Sequence, residues 1–232
     1  MKFCIAILLA CVNSPSFGQV FAYPDIRTSA SSMEQFIPKG WVLLDSTSGD
    51  LSKDGKADLA LVIQHKDSVA WVNDFGDTIL TNPRMLLILF RDTGQEGYTL
   101  AERSNTFIMQ HEDRTMDDPF EDVMITKGLL EIGFRLFYSM GSWYITVATY
   151  KFRYQANEFV LIGAEKLSFH RATHDFEEYS YNFLTKKKIV SKGSDMKGTR
   201  KTIKESLALP ELKTLKTFAR PFTWWIDDSH VL

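Results

Sequence analysis

Short apolar runs, separated by turn residues, dominate the hydrophobic pattern of the chain. From residue 41 onward the runs are rich in β-branched and aromatic residues, and turn signals such as Asp54-Gly55 and Lys127-Gly128 separate them. Such runs are typical of strands, and connections this short favour antiparallel neighbours, because a parallel crossover needs about a dozen residues or more. The pattern predicts strands at 41–47, 57–65, 84–91, 97–104, 122–126, 129–138, 142–154, 158–169, 177–184 and 187–193.

Two of these runs carry apolar side chains on both faces. Residues 85–90 are apolar at every position, and residues 143–152 place apolar side chains on each face of the strand. A sheet with one face in water alternates apolar and polar residues instead. We therefore expect the sheets to be stacked, either on another sheet or on a helix.

Helix-like spacing of apolar residues is confined to the two ends of the chain. It runs from residue 28 to residue 36, after which Pro38 and Gly40 interrupt it, and it recurs at 210–218. The expected fold class is therefore mainly β, with antiparallel blade-like meanders or stacked sheets. It has one short N-terminal and one C-terminal helix.

The N-terminus has the features of an export signal. Lys2 is followed by an apolar run from residue 3 to residue 12, which is shorter than the roughly 20 residues of a transmembrane helix. We interpret residues 1–18 as a secretory signal peptide that is cleaved before Gln19. The alternative is a lipoprotein with Cys11 as its lipidated N-terminus. Either way, the protein is expected in the periplasm or at the cell surface.

The composition of the chain argues against several classes of function. Both cysteines lie within residues 1–18, so cleavage leaves residues 19–232 without a disulfide or a thiol nucleophile. A formal net charge of −2 argues against a nucleic-acid binder, and no later apolar run is long enough to span a membrane. We find no shift in composition that divides residues 19–232, and we expect a single domain.

One loop, residues 50–58, has the composition of a calcium site. Counting from Asp50, oxygen side chains stand at loop positions 1, 3, 5 and 9, and Gly55 at position 6 allows a sharp turn. Calcium prefers six to eight oxygen ligands. The predicted ligands are the side chains of Asp50, Ser52, Asp54 and Asp58 and the backbone carbonyl of Lys56.

Two interpretations of this loop remain open. Leu61 occupies position 12, where an EF-hand needs a glutamate, and both flanks read as strands, so the loop would lie within a β-hairpin. The first interpretation is a calcium loop, since three carboxylates within nine residues repel one another without a cation. The second is an ordinary Asp-Gly hairpin turn with solvated aspartates.

The stretch from Gly49 to Ile63, GDLSKDGKADLALVI, resembles the calcium-binding hairpin of FG-GAP (VCBS-type) repeats, the unit of integrin-α-like β-propellers. The wider sequence, from Phe36 to Thr185, is similar to uncharacterised secreted bacterial proteins with one such motif. The resemblance implies that Asp50, Ser52, Asp54 and Asp58 bind Ca²⁺. With one motif and about ten strands, the chain is too short for a full propeller.

The common catalytic motifs are absent from the sequence, including G-x-S-x-G, the P-loop and H-E-x-x-H. The best remaining cluster is His170, His174 and Asp175, which suggests a hydrolase if it converges with the acidic residues of 111–122. That acidic stretch is itself a candidate second cation site or acid/base pair. Solvated loop residues are the simpler interpretation of both.

Two further features suggest where a partner binds. Residues 66–83 and 105–121 are long for connections in a compact domain, and such loops are often functional. Between residues 186 and 220 there are eleven basic residues and only three acidic ones. This basic segment is suited to an anionic surface or an acidic partner, and an ordinary solvated face is the alternative interpretation.

Taken together, these features predict an exported calcium-binding β protein whose ion is structural. We expect it to act as a binding or scaffolding module for a protein or glycan at the cell envelope. The alternatives are a secreted hydrolase with the histidine cluster as its site, or an inhibitor or immunity-type protein.

Overall fold

The computed structural model describes residues 21–73, 76–92, 94, 96–209, 211–227 and 230–232. The predicted signal peptide and Cys11 lie outside these residues. The described chain is mainly β, with two larger antiparallel sheets and two small hairpins. None of its helices is both long enough and apolar enough to cross a membrane.

The first sheet has five strands in the order β1-β7-β6-β3-β2. Four of them, β2, β3, β6 and β7, form one antiparallel meander, in keeping with the expected antiparallel meanders. A separate hairpin, β4–β5, is inserted between β3 and β6. The strands are β1 (Ser29–Ala30), β2 (Trp41–Gly49), β3 (Asp58–His65), β4 (Val69–Val72), β5 (Thr78–Thr81), β6 (Arg84–Arg91) and β7 (Tyr98–Ser104).

The second sheet has seven strands that follow one another in chain order, each antiparallel to the next. A final hairpin, β15–β16, follows an irregular segment at the C-terminus. The strands are β8 (Phe120–Thr126), β9 (Leu129–Leu136), β10 (Tyr144–Gln155), β11 (Glu158–His170), β12 (Asp175–Asn182), β13 (Lys187–Ser194), β14 (Thr199–Ser206), β15 (Trp225–Asp227) and β16 (His230–Val231).

Both helix predictions are wrong. Residues 28–36 contain strand β1 and a single 3₁₀ turn, Met33–Phe36. The described part of 210–218 is irregular, because its backbone bonds to β11: the Leu161 N–H donates to the Lys213 carbonyl and the Leu215 N–H to the Phe159 carbonyl. The three-residue apolar spacing instead reflects contact with the main core, in which Leu215 and Phe218 are buried and against which Leu212 packs.

Both faces of β6 are packed against other residues, as predicted. In β10 only one of the two faces is packed. Leu86 and Ile88 of β6 pack into the main core, which also receives side chains from β8 to β13 and from the C-terminal segment. Leu87 and its alternate neighbours pack on the opposite face, under the N-terminal residues from 21 onward. In β10, Tyr150 is buried but Val147 on the other face is exposed, so the outer face of the second sheet meets solvent.

The two sheets meet where β2 lies beside β8. Asp45 Oδ2 accepts the N–H of Val123 at 3.0 Å, and Thr47 Oγ1 accepts that of Ile125 at 3.2 Å. Gly49 at the end of β2 lies so close to β8 that an added Cβ would come within 2.5 Å of Ile125 Cγ2. Side chains of one sheet thus cap the outer edge of the other.

Candidate functional site

The predicted calcium loop connects β2 to β3. Lys53 has φ +65° and Gly55 has φ +85°, so the backbone enters the left-handed region twice within three residues. This conformation favours glycine, and it lets the backbone turn within a few residues. The aspartate spacing therefore coincides with a compact turn.

Asp50 and Asp54 bind backbone amides of the loop itself. Asp50 Oδ1 accepts the N–H groups of Lys53 (2.7 Å) and Asp54 (3.2 Å), and its Oδ2 accepts that of Gly55 (3.1 Å). Asp54 Oδ1 accepts the N–H of Lys56 at 2.8 Å. These bonds offset part of the carboxylate charge. Asp50 Oδ1 already accepts two of them, whereas Asp50 Oδ2 and Asp54 Oδ1 accept one each and retain a lone pair for a cation.

Asp58 has a different environment from the other two aspartates. It is fully buried, and its Oδ2 accepts the N–H groups of Leu51 (2.9 Å) and Ser52 (2.8 Å). Its Oδ1 accepts the N–H of Arg91 at 3.0 Å, which ties the loop to the end of β6. Asp58 therefore anchors the loop to the first sheet.

Ser52 and Lys56 complete the predicted ligand set. The hydroxyl of Ser52 is buried and has no hydrogen-bond partner among the described residues. An unpartnered buried hydroxyl is costly unless something else binds it. The side chain of Lys56 points away from the loop and donates to the Asp92 carbonyl at 2.9 Å. That leaves its backbone carbonyl as the group it can offer to an ion.

Among the described residues, no three or more histidine, cysteine or carboxylate side chains come close enough together to hold a metal ion. A site in this loop would therefore depend on the Ser52 hydroxyl and the Lys56 carbonyl as well as on carboxylates. An oxygen-only set of this kind suits calcium, which accepts hydroxyls and carbonyls in irregular geometry. The orphaned Ser52 hydroxyl fits such a ligand, and the assignment stays a prediction.

A cleft of about 500 Å³ lies on another part of the molecule, where the two long predicted loops meet. The first loop contributes the β4–β5 hairpin, which the sequence pattern missed, and the second contributes residues 109–116. The turn before β10 and the C-terminal segment close the other sides. The lining residues are Trp71, Asn73, Met109, Glu112, Asp113, Thr115, Met116, Leu136, Tyr138, Met140, Gly141, Ser142, Arg220, Pro221, Phe222 and Thr223.

The charges in this cleft are largely paired. Arg220 forms an ion pair with Glu112. Hydrogen bonds from the side chain and backbone of Thr115 lower the pKa of Asp113 below its usual range, so its carboxylate is ionised near neutral pH. Burial, followed by the charges of Asp113 and Glu112, raises the pKa of Tyr138, so its hydroxyl stays protonated. The cleft thus offers hydroxyls, a carboxylate and aromatic rings.

The histidine cluster lies outside this cleft. His170 contacts the rings of Trp143 and Tyr144, and its Nδ1 accepts the N–H of Thr173 at 3.1 Å. Thr173 Oγ1 donates to Asp175 Oδ2 at 2.8 Å, whereas His174 packs against Phe169. None of the three predicted hydrolase residues lines the cleft. The convergence with residues 111–122 that a hydrolase needs is therefore not seen there.

The acidic stretch 111–122 is dispersed across the surface. Glu112 pairs with Arg220 and Asp118 pairs with Arg84, whereas Asp117 and Glu121 are exposed. The described residues show no cluster here that would hold a second cation.

The basic segment is also divided. In the described chain, five of its eleven cations form ion pairs. These are Lys188, Lys192, Arg200, Lys216 and Arg220. Lys187, Lys197, Lys201 and Lys204, which form no ion pair in the described chain, lie on β13, β14 and the turn between them.

Comparison of the chain with protein-family models, with curated proteins and with solved structures gave no match.

Proposed function

We propose that the protein is an exported binding module that holds a structural calcium ion in loop 50–58 and takes a neutral glycan in the cleft. The observation that carries the calcium assignment is the buried, unpartnered hydroxyl of Ser52 between Asp50 and Asp54. The loop and the cleft lie at opposite ends of β3. The loop ends at Asp58, the first residue of β3, and the β4–β5 hairpin that lines the cleft follows His65, its last residue. The ion would therefore stabilise the fold without touching the ligand.

Thermal melts with calcium and with excess chelator test the metal site. Filling a site at 100 times its dissociation constant adds about 2.7 kcal/mol, which corresponds to a rise of about 5–10 °C in Tm for a chain of this size. Asp54→Ala should abolish the rise. Asp67→Ala, an exposed aspartate beyond the other end of β3, is the matched control and should retain it.

Ser52→Ala distinguishes a calcium loop from an ordinary hairpin turn. In the part of the chain that the structure describes, its hydroxyl makes no hydrogen bond, so the variant should match wild type, or exceed it slightly, in chelator. In calcium the variant should gain less than wild type, because one ligand is missing. If wild type shows no calcium-dependent shift, the ordinary turn is correct.

The cleft supports a glycan as ligand through its mixed lining. Aromatic rings such as those of Trp71 and Phe222 can pack on the apolar face of a sugar ring, while Asp113, Thr115 and Ser142 can bind its hydroxyls. Because Arg220 and Glu112 neutralise each other, Asp113 is left as the main charge of the cleft, and a single carboxylate is a good acceptor for sugar hydroxyls.

Titration with neutral oligosaccharides, followed by tryptophan fluorescence, tests this part of the proposal. Trp71→Ala should weaken binding by about tenfold, equivalent to about 1.4 kcal/mol. Trp225→Ala removes a tryptophan that is 64% exposed and does not line the cleft, and it should bind as wild type does. Equal losses in both variants, or no binding by wild type, would rule out a glycan cleft.

A further inference from the structure

The outer edge of β14 is uncovered in the described part of the structure. β14 is the last strand in the order of the second sheet, it pairs only with β13, and all eight of its residues are exposed. At the other end of the same sheet, β8 is capped by side chains of β2. An uncovered edge presents a row of unpaired N–H and C=O groups to which another strand can add.

The register identifies the backbone groups that face outward. The N–H of Leu207 donates to the Lys186 carbonyl at 2.8 Å, in register with the β13–β14 ladder. Hydrogen-bonded pairs alternate along an antiparallel ladder, so every second residue of β14 turns its N–H and C=O away from β13. By this count the outward residues include Arg200, Thr202 and Lys204.

The charges along this edge favour one kind of partner. Within the described chain Lys187, Lys201 and Lys204 form no ion pair, although Arg200 pairs with Glu178. Like charges placed opposite one another destabilise strand pairing, so the edge disfavours a second copy of itself. The same lysines would attract carboxylates on an incoming strand.

We propose that β14 binds an extended, acidic segment of a partner protein, which adds as an eighth strand to the second sheet. Backbone hydrogen bonds would supply the affinity, and side chains at alternate positions would supply the selectivity. Lys204 lies on the outer face of the sheet. Because side chains alternate along a strand, Lys201 and Ile203 lie on the opposite face. The preferred segment has acidic residues beside the lysines and an apolar residue beside the 41% exposed Ile203.

The probe is an acetylated, amidated octapeptide of threonine, valine and glutamate that follows this pattern. A second peptide of equal charge carries a central proline and cannot form a continuous strand. Amide hydrogen exchange of the isotope-labelled protein should show new protection at Arg200, Thr202 and Lys204 when the first peptide is added. The N–H groups of Lys201 and Ile203 already face β13 and should change little.

Thr202→Pro and Thr202→Ala form a matched pair. Both remove the hydroxyl contact with Ser191, but only proline removes the outward N–H. Proline should therefore weaken peptide binding by about tenfold relative to alanine, as expected for a lost backbone hydrogen bond. Circular dichroism checks that both variants fold, and the exchange pattern still tests the proposal if the proline variant does not.

Charge reversal provides a second pair of variants. Lys201→Glu with Lys204→Glu should abolish peptide binding, whereas Lys213→Glu, which lies off the β14 edge, should leave it unchanged. Three results would overturn the proposal. The first is equal binding of the proline-containing peptide, or equal binding by Thr202→Pro, because either would mean a purely ionic contact. The second is dimerisation through β14. The third is that the first peptide does not bind.

Discussion

Arg84 is a buried cation whose partners join the first sheet to the loop that lines the cleft. It is only 5% exposed. Its guanidinium donates to Gln64 Oε1 (2.9 Å), to the Met109 carbonyl (2.8 Å) and to both carboxylate oxygens of Asp118 (2.7 and 2.5 Å). A buried charge is stable only when it is paired, so Asp118 holds this contact together.

Acid should weaken this ion pair. Burial alone would raise the pKa of Asp118, but the hydrogen bonds and charge of Arg84 outweigh it and lower the pKa. A carboxyl group with a lowered pKa in the folded state stabilises the fold above its unfolded pKa of about 3.9, and this contribution is lost as the pH falls through the folded value. In urea unfolding at a series of pH values, Asp118→Asn should lose less stability than wild type on acidification.

The neighbouring Asp117 provides the control for this prediction. It is exposed and forms no ion pair among the described residues, so Asp117→Asn should follow the pH dependence of wild type more closely. An unchanged pH dependence in Asp118→Asn would contradict the role assigned to the ion pair.

The aspartates of loop 50–58 have the spacing of one site in the sequence but different hydrogen-bond partners in the structure. Their spacing predicts one ligand set, which stays a prediction. The structure adds a difference that spacing does not show, because Asp58 is buried and accepts three backbone N–H groups, one of them from outside the loop. No spacing rule distinguishes these roles, because the Arg91 amide comes from a strand that is distant in sequence.

The contact between β2 and β8 is the main feature at the scale of elements. Edge strands are exposed to unwanted pairing, and here Asp45 and Thr47 satisfy two edge amides of β8. The alternation of side chains along β2 places these two residues on the same side of the strand. These polar residues of β2 therefore hold the two sheets together, although their polarity alone would suggest side chains exposed to solvent.

Thr47→Val should lower the free energy of unfolding by about 1 kcal/mol. The two side chains are similar in shape, but valine leaves the Ile125 N–H without its acceptor. Ser48→Ala, one position along on the other side of β2, removes a hydroxyl for which the described residues show no hydrogen bond, and it should have a smaller effect. Urea unfolding measures both, and equal losses would contradict an edge-capping role for Thr47.

Strands were predicted much better than helices. All ten predicted strands are present, with ends displaced by up to two residues, because each combines an apolar run with a turn signal. β14 was not predicted, because Thr199–Ser206 is almost entirely polar and exposed and so lacks the apolar run that marks the other strands. The predicted C-terminal helix failed because its backbone pairs with β11, a contact that local spacing does not encode.

The larger of the two hydrophobic cores receives side chains from both large sheets and from the C-terminal segment. Phe107 lies at its centre, fully buried, with ring centroids 5.2 Å from Phe152, 5.6 Å from Tyr150 and 5.7 Å from Phe218. Phe107 belongs to a stretch that the sequence pattern assigned to a loop. Its burial is decided by the packing of the sheets around it.

Phe107→Ala should destabilise the protein by about 3–5 kcal/mol, because it leaves a large cavity in a core with many ring contacts. Phe107→Leu keeps more of the volume and should cost less. Near-ultraviolet circular dichroism and tryptophan fluorescence should report a single coincident unfolding transition in both variants, since the two sheets share this core. Separate transitions for the two probes would contradict a shared core.

The sequence by itself determined the antiparallel β class, ten of the strands and the position of a tight acidic turn. Apolar periodicity and turn residues act over a few positions, so they can be recognised in the sequence. The tertiary structure decided that the two long loops meet in a cleft and that Asp58 is buried. It also decided that β14 has no neighbour other than β13 among the described strands. Each depends on segments far apart in the chain, and their packing satisfies or exposes backbone groups that local patterns cannot assign.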